Sequence, residues 1–595
     1  MNILGISAFY HDSAAALLVD GDLVAAAHEE RFTRKRHDPA LPEQAVKYCL
    51  EHAHLSIDDI DYVVFYDKPF IKFERILMTY IATFPRSLPS FAKSMPVWMK
   101  EKLWIPRLIG SHLNYQGEVL FAEHHQSHAA SAFLASPFEE AAILTCDGVG
   151  EWATTTQGIG RGNSFELTQE IRFPHSLGLL YSAFTYYLGF KVNSAEYKVM
   201  GAAPYGTPKY AQKILEELVD LREDGSFKLN MKYFAYDYGL TMTNDRFAKL
   251  FGHPVRDMES PMEQFHWDMA ASIQKVTEEI VLAMVRDLHR RSGMKNLCMA
   301  GGVALNCVAN GRIVREGPFE NLWVQPAAGD AGGALGAALF AYNAVLKKPR
   351  AFRMDHCYWG PQYSDAAIRK YLDARRAPYQ SLSRDAMIRE TARLLAEEQA
   401  VVGWFSGRME WGPRSLGSRS ILADARNREN WQRVNLKIKY RESFRPFAPA
   451  CLEEKAQDCF EIDRESPYML LVCPVKGLES YQAETSEGPV TRYTSALPAI
   501  THVDGSARIQ TVRRDQHAEF YDLLAEFDRQ TGCPVMINTS FNVRGEPIVC
   551  TPHDAYLCFM RTEMDVLVLG NQILRKQDQP EFHEDVDWRE LYELD

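Results

Sequence analysis

The sequence predicts an α/β protein of two domains, and three observations carry that expectation. The chain has 595 residues, too many for one ordinary hydrophobic core. Short apolar runs alternate with helical patterns through both halves, which is the signature of mixed α/β folds. A polar stretch at Leu346-Lys347-Lys348-Pro349-Arg350 separates a half with glycine-rich turns from a half with cationic loops.

Residues 1–345 form the first expected domain. Asn2–Ser7, Ala14–Val19 and Leu23–Ala27 read as strands, with Asp20-Gly21-Asp22 as a hairpin turn. Pro42–His52 reads as a helix and Tyr62–Tyr66 as a strand. Strand, hairpin, strand, helix, strand is the opening of a ribonuclease-H-like unit, the building block of actin-like ATPases. Such folds hold ligands at loops beyond strand ends. Strand–helix pairs recur beyond the middle of this half, so a duplicated unit is expected, although no literal repeat is visible. Residues 68–111, rich in Pro, Phe, Met and Trp, read as an insertion or lid. Residues 346–357 read as a linker, 358–571 as a second α/β domain, and 572–595 as an acidic surface extension.

Composition narrows the function. Asp and Glu (78) exceed Lys and Arg (66), which argues against a broad nucleic-acid footprint. The eleven cysteines are scattered without a Cys-x-x-Cys pair, as in reduced cytoplasmic proteins. The N-terminus lacks the basic start of a signal peptide, and no apolar run is long enough to span a bilayer.

The most informative stretch is Glu123-His124-His125-Gln126-Ser127-His128. It follows the apolar run Val119–Ala122 and leads into a small-residue helical run. His124 and His128 are four apart, so on a helix they share one face. Two imidazoles so placed suit one metal ion, while the pair alone is equally a pair of core or capping histidines. Asp147 ends one apolar run and Asp330 opens a helix after another. Two histidines and two carboxylates suit Fe(II), Mn(II) or Zn(II). Each Asp alone is more often a turn or N-cap residue. His125 stands between the two histidines, and a register slip would exchange the ligands. His11, beside Asp12 in a loop at a strand end, is a candidate general base.

Two glycine-rich turns, at Gly301-Gly302 through Asn306 and at Gly329, each lead into a helix. Bare backbone amides at a helix start attract phosphate, though small residues serve tight helix packing equally well. In the second half, cations concentrate in Gly407–Ser420, which holds Arg414 and Ser415, and in Lys437–Pro446, which holds Lys439 and Arg445. Arg508 follows, and then Asn538–Asn542 with Ser540, Asn542 and Arg544. Such loops in an acidic protein point to a focused anion pocket, since Arg forks and Lys charges bind phosphate oxygens.

On these motifs the chain resembles the NodU/CmcH/TobZ-type O-carbamoyltransferases. The carrying stretches are Gly5–Ala15, His28–Arg34, Glu123–Ala130, Asp147-Gly148, Glu196–Gly206 and Gly301–Asn306. In the second half they are Gly407–Ser420, Arg445–Pro449, His502–Arg508 and Asn538–Gly545. The resemblance implies an N-terminal Kae1-like domain of actin-like type and a C-terminal YrdC-like domain. It implies that the YrdC-like domain makes carbamoyladenylate from carbamoyl phosphate and ATP, with Mg as counter-ion. The Kae1-like domain would then pass the carbamoyl group to a hydroxyl of a small molecule, such as a secondary metabolite. Carried over, His124, His128, Asp147 and Asp330 would bind iron, and His11 would activate the hydroxyl. Lys439 and Arg445, with Arg414, Ser415, Arg508, Ser540 and Asn542, would hold carbamoyl phosphate and ATP. Residues 68–111 match no motif and are left for acceptor choice. A homodimer is expected by analogy alone.

Three other functions compete. Threonylcarbamoylation of tRNA uses the same two fold types, but the acidic balance disfavours it. An actin-like small-molecule kinase fits the Gly301 and Gly329 turns and not the basic second half. A metal-dependent scaffold leaves the Arg/Lys loops unexplained.

Overall fold

Two sheets with the same strand order frame the first unit. The computed structural model describes residues 1–584 apart from Ser443, Ser486 and Glu487, and beyond these Asp587, Trp588 and Tyr592. The first sheet contains β1 (Asn2–Ser7), β2 (Ala14–Val19), β3 (Asp22–His28), β4 (Tyr62–Phe65) and β5 (Glu118–Phe121). Its order is β3-β2-β1-β4-β5, with β2 antiparallel to β1 and β3, and β4 and β5 parallel to β1. The second contains β6 (Glu140–Cys146), β7 (Ala153–Arg161), β8 (Ser164–Arg172), β9 (Asn296–Ala300) and β10 (Asn321–Val324). Its order, β10-β9-β6-β7-β8, repeats the hairpin-then-parallel arrangement strand for strand. This is the expected duplication, carried by topology rather than by sequence identity.

The strand runs explain the sheet. β1, β2 and β6 are buried on both faces almost throughout, which is why they read as continuous apolar runs rather than alternating ones. Between β4 and β5 lie three helices, α1 (Pro69–Thr83), Leu88–Val97 and Ile105–Leu113. They occupy the stretch 68–111 that reads as an insertion or lid. Phe73 packs against Trp98 and Tyr80 against Phe91, while Phe70, Ile81 and Phe84 stand exposed.

Helix α2 (His124–Phe133) follows β5, and α3 (Asp330–Leu339) follows β10. These two helices cross closely. A Cβ on Gly336 would lie 1.8 Å from the Ser127 carbonyl oxygen, and one on Gly5 1.9 Å from that of Ala334. The small residues after Gly329 therefore serve packing, and that packing brings Asp330 beside the histidine helix.

The chain falls into two compact units, Met1–Glu29 with His37–Met354, and Glu30–Arg36 with Asp355–Asp595. The boundary between Met354 and Asp355 falls within the stretch expected as a linker, 346–357, and part of that stretch is anchored to the first unit. Arg350 donates to the carbonyls of Leu134 and Phe138 at 2.9 and 2.6 Å and to that of Ser136, and the Met354 amide donates to Ala135.

The second unit is built on a nine-stranded mixed sheet. Its strands are β11 (Gln380–Ser381), β12 (Val402–Phe405), β13 (Arg419–Asp424), β14 (Ala448–Leu452), β15 (Leu471–Pro474), β16 (Ser506–Val512), β17 (Val535–Ser540), β18 (Val566–Leu569) and β19 (Gln572–Arg575). They run in the order β11-β19-β18-β12-β13-β17-β14-β16-β15. Helix α4 (Ala518–Thr531) packs on one face. The expected extension at 572–595 is corrected here: β19 pairs with β18 inside the sheet, and Ile573 and Leu574 are core residues. Part of the remainder of that extension lies outside the described residues. Among the described residues no helix is long and apolar enough to cross a membrane.

Candidate active site

The first-unit site is assembled by strand ends and helix starts. Helix α2 begins at His124 itself, so both His124 and His128 lie on its first two turns and are buried. The Glu151 carboxylate accepts from the His124 amide at 3.0 Å, placing a negative charge at the helix start. Asp147 follows β6, and Asp330 is the first residue of α3.

The four side chains converge. His124 Nε2 lies 3.0 Å from Asp147 Oδ2, 3.6 Å from Asp330 Oδ1 and 3.1 Å from His128 Nε2. His128 Nε2 is 3.6 Å from both carboxylates. All four ligand atoms lie within 4.8 Å of one another. A tetrahedral ion with ligands at about 2.1 Å has ligand–ligand edges of roughly 3.4 Å, so these spacings suit one divalent cation. Both Asp330 oxygens are buried without a hydrogen-bond partner among the described residues. That is costly unless a cation serves them. The donor set therefore fits a metal.

The electrostatics are dominated by the two carboxylates. Burial alone would lower His128, but the nearby Asp147 and Asp330 carboxylates outweigh it and hold it up at about 9. Burial would raise Asp147, but His124 and His128 hold it well below the usual carboxylate range. His125 turns away, its Nδ1 2.6 Å from Thr145 Oγ1, and burial followed by its two histidine neighbours drives it down to about 3.

His11 stands on the rim. Its Nδ1 donates to Asp12 Oδ2 at 2.9 Å, which leaves Nε2 3.8 Å from Asp330 Oδ2. Burial pulls this imidazole down, but Asp330 and Asp12 outweigh it and hold it at about 9. Of the expected nucleotide residues, Gly302 donates its amide to Asp147 Oδ1 at 2.8 Å. Asn306 caps the following helix through Ala309 and exchanges amide hydrogen bonds with Gln274. Gly301, at φ +93°, backs onto Cys146, where a Cβ would lie 2.3 Å from its carbonyl oxygen. Gly329 precedes α3, with open space where a Cβ would be.

In the second unit Lys439 is buried and ringed by oxygens. Its Nζ donates to Asn542 Oδ1 at 2.6 Å, to the Asn542 carbonyl at 3.0 Å, to Ser540 Oγ at 3.1 Å and to the Ser540 carbonyl. Burial, then Arg441, hold it well below the usual lysine range, with Arg445 adding to the effect. Arg445 faces Glu442 at 3.6 Å, and Arg544 reaches the same carboxylate at 3.3 Å. Ser415 is buried with its hydroxyl unpaired among the described residues, and Arg414 beside it is half-buried. Arg508 lies on β16, two residues before Gln510, so the two share a face. Gln510 donates to the Leu416 carbonyl at 2.8 Å, which sets this strand beside the Ser415 loop.

Residues 2–339 match the family model for the carbamoyltransferase N-terminus, and residues 392–576 that for the carbamoyltransferase C-terminus. The chain belongs to the carbamoyltransferase family. It is 54% identical to an uncharacterized protein of Synechocystis, over 100% of both chains. It is 37% identical to the nodulation protein NolNO of Sinorhizobium fredii, covering 96% of this chain and 79% of that one. To the nodulation protein U of Rhizobium fredii it is 30% identical, covering 90% of this chain and 89% of that one.

This carbamoyltransferase also has residues that sequence reasoning did not single out. His37 Nδ1 donates to the other Asp12 oxygen at 2.6 Å, so one carboxylate is gripped by two imidazoles. Glu410 accepts from the amides of Leu416, Ser418 and Arg419 at 2.7, 2.8 and 3.1 Å, and so shapes the loop that carries Arg414 and Ser415. Arg419, counted among the loop cations, is a structural pin. It donates to the carbonyls of Ser406, Gly407, Ser418 and Pro361 and lies 3.6 Å over the Phe405 ring. No sequence signal separates it from the half-buried Arg408 and Arg414, because burial depends on the fold around it.

Proposed function

We propose that the chain is an ATP-dependent O-carbamoyltransferase acting on a hydroxylated small molecule, a secondary metabolite, in the cytoplasm. In this reading the second unit, of YrdC-like type, forms carbamoyladenylate from carbamoyl phosphate and ATP, with release of phosphate and pyrophosphate. The first, of Kae1-like type, passes the carbamoyl group to the acceptor hydroxyl. The observation that carries it is the convergence of His124, His128, Asp147 and Asp330 beside the His11–Asp12 pair, in a chain of this family.

The residues divide the work. Lys439, Arg445 and Arg544, with the Ser540 and Asn542 side chains, supply cations and donors for phosphoryl oxygens as charge develops on them. Asp12 orients His11 so that Nε2 is the atom offered to the acceptor hydroxyl. A cation such as Fe(II), Mn(II) or Zn(II), held by His124, His128, Asp147 and Asp330, would supply positive charge for ligand oxygens and, by offsetting Asp330, draw His11 back towards the range of a base.

The test is product analysis. Incubation with ATP and carbamoyl phosphate is expected to yield AMP and pyrophosphate, and a carbamoyl adduct when a suitable acceptor is present. ADP as the sole nucleotide product would favour a kinase and overturn the reading.

A further inference from the structure

Helix α1 of the insertion presents Lys68, Lys72 and Arg75 at spacings that place them on one stripe. The first two have carboxylate partners. Lys68 Nζ lies 3.0 Å from Glu123 Oε1, and Lys72 Nζ lies 2.8 Å from Asp67 Oδ2. Arg75 has none. It is 7% exposed, its Nε is buried without a hydrogen-bond partner, and among the described residues no oxygen bonds to its guanidinium. The Phe173 ring lies 4.8 Å from its guanidinium. Glu151, whose charge reaches Arg75, spends its carboxylate on the amides of Lys68 and His124.

A buried guanidinium without a counter-ion is rare because its desolvation is not offset. Burial lowers Arg75 to about 10, a direction that an anion would reverse. Its surroundings lead towards the metal-ligand cluster. Lys72 Nζ sits 5.3 Å above the Tyr10 ring, which lies 4.5 Å from the His11 ring, and His11 Nε2 is 3.8 Å from Asp330. Tyr10 is 42% exposed, so this side is open to a ligand.

We propose that Arg75, with Lys72 beside it, binds an oxyanion group of a ligand seated on the Tyr10 side of the first-unit site. Phosphate and carboxylate share the required chemistry, two oxygens for one guanidinium fork. The source is either a nucleotide phosphate or an anionic group on the acceptor. The ligand's part in carbamoyl transfer rests on the proposed function, whereas the anion site itself stands without it.

Inorganic phosphate is the probe, titrated calorimetrically into the full chain and into Arg75→Met, Arg75→Lys and Lys439→Ala. The wild type is expected to bind two equivalents. Arg75→Met is expected to lose one, and to melt above the wild type in phosphate-free buffer, because it removes an unpaired charge. Arg75→Lys is expected to keep that equivalent at weaker affinity. Lys439→Ala is expected to lose the other equivalent, and its failure to do so would count against the second-unit reading alone. AMP separates the sources: a tenfold or greater loss of AMP affinity in Arg75→Met assigns the site to the nucleotide, and an unchanged affinity assigns it to the acceptor. Full phosphate stoichiometry in Arg75→Met, or a melting loss equal with and without phosphate, would overturn the proposal.

Discussion

His124 and His128 point their Nε2 atoms at each other across 3.1 Å, one helical turn apart and both buried. Two imidazole lone pairs at that distance repel unless a proton or a cation lies between them. Asp147 and Asp330 supply the negative charge that makes a cation the better occupant.

Metal analysis checks this directly. Purified wild type is expected to carry about one equivalent of a divalent transition metal. His124→Ala and His128→Ala are each expected to retain little of it, while His125→Gln keeps it, since that ring faces Thr145. Equal metal content in all four proteins would return the pair to a packing role.

Lys439 and Arg445 give a second prediction. Replacing either by Ala removes a basic group, Lys439 from its ring of Ser540 and Asn542 oxygens or Arg445 from Glu442. Pyrophosphate release driven by carbamoyl phosphate is expected to fall by about 10²–10³-fold. Metal content is expected to stay unchanged, which separates loss of the second-unit chemistry from general unfolding.

Glu410 gives a third, on stability. Its carboxylate satisfies three backbone amides in the buried 416–419 turn. Glu410→Ala leaves those donors unpaired and is expected to cost about 3 kcal/mol. The denaturant midpoint of the second unit reads it. Activity is expected to fall as well, since the loop carries Arg414 and Ser415.

His517 sets a pH dependence. Its Nδ1 accepts from the Phe520 amide at the start of α4, and its Nε2 contacts Ser418 Oγ at 2.9 Å. Burial lowers it to about 4, and Arg419 and Arg384 add to that. The unfolded chain, with an ordinary histidine near 6.5, then binds more protons than the folded one between pH ~6.5 and ~4. Stability from this group is complete above that window and is lost as pH falls through it, by up to about 3 kcal/mol. His517→Asn, which keeps a capping oxygen, is expected to flatten the slope of stability against pH. An unchanged slope would assign the acid sensitivity elsewhere.

The N-terminal hairpin, the four-residue spacing of the histidines and the strand-end positions of Asp147 and Asp330 were legible because each is a local pattern. Chain order alone could place them at matching ends of two sheets. What was not legible depends on contacts far apart in sequence. β19 looked like a tail because a four-residue strand is recognisable only beside its partner β18. Arg419 could not be told apart from the other cations of the 407–420 stretch, because its carbonyl partners come from three separate segments. Arg350 looked like linker because the carbonyls it binds lie more than 200 residues away. Likewise the missing counter-ion of Arg75 is visible only once every neighbour is in place.

The segment Glu30–Arg36 clusters with the second unit although it is made among the first strands. Arg34 donates to Glu546, 512 residues away, and to the carbonyls of Pro547 and Ile548. During synthesis this heptapeptide emerges early and has no partner until nearly the whole chain exists. Closing so long a loop is slow rather than thermodynamically prohibitive. The second unit therefore reaches its native state only after translation is almost finished. Cutting the gene near residue 354 would separate two enzymatic halves on paper, and leave Glu546 buried without its arginine in the product.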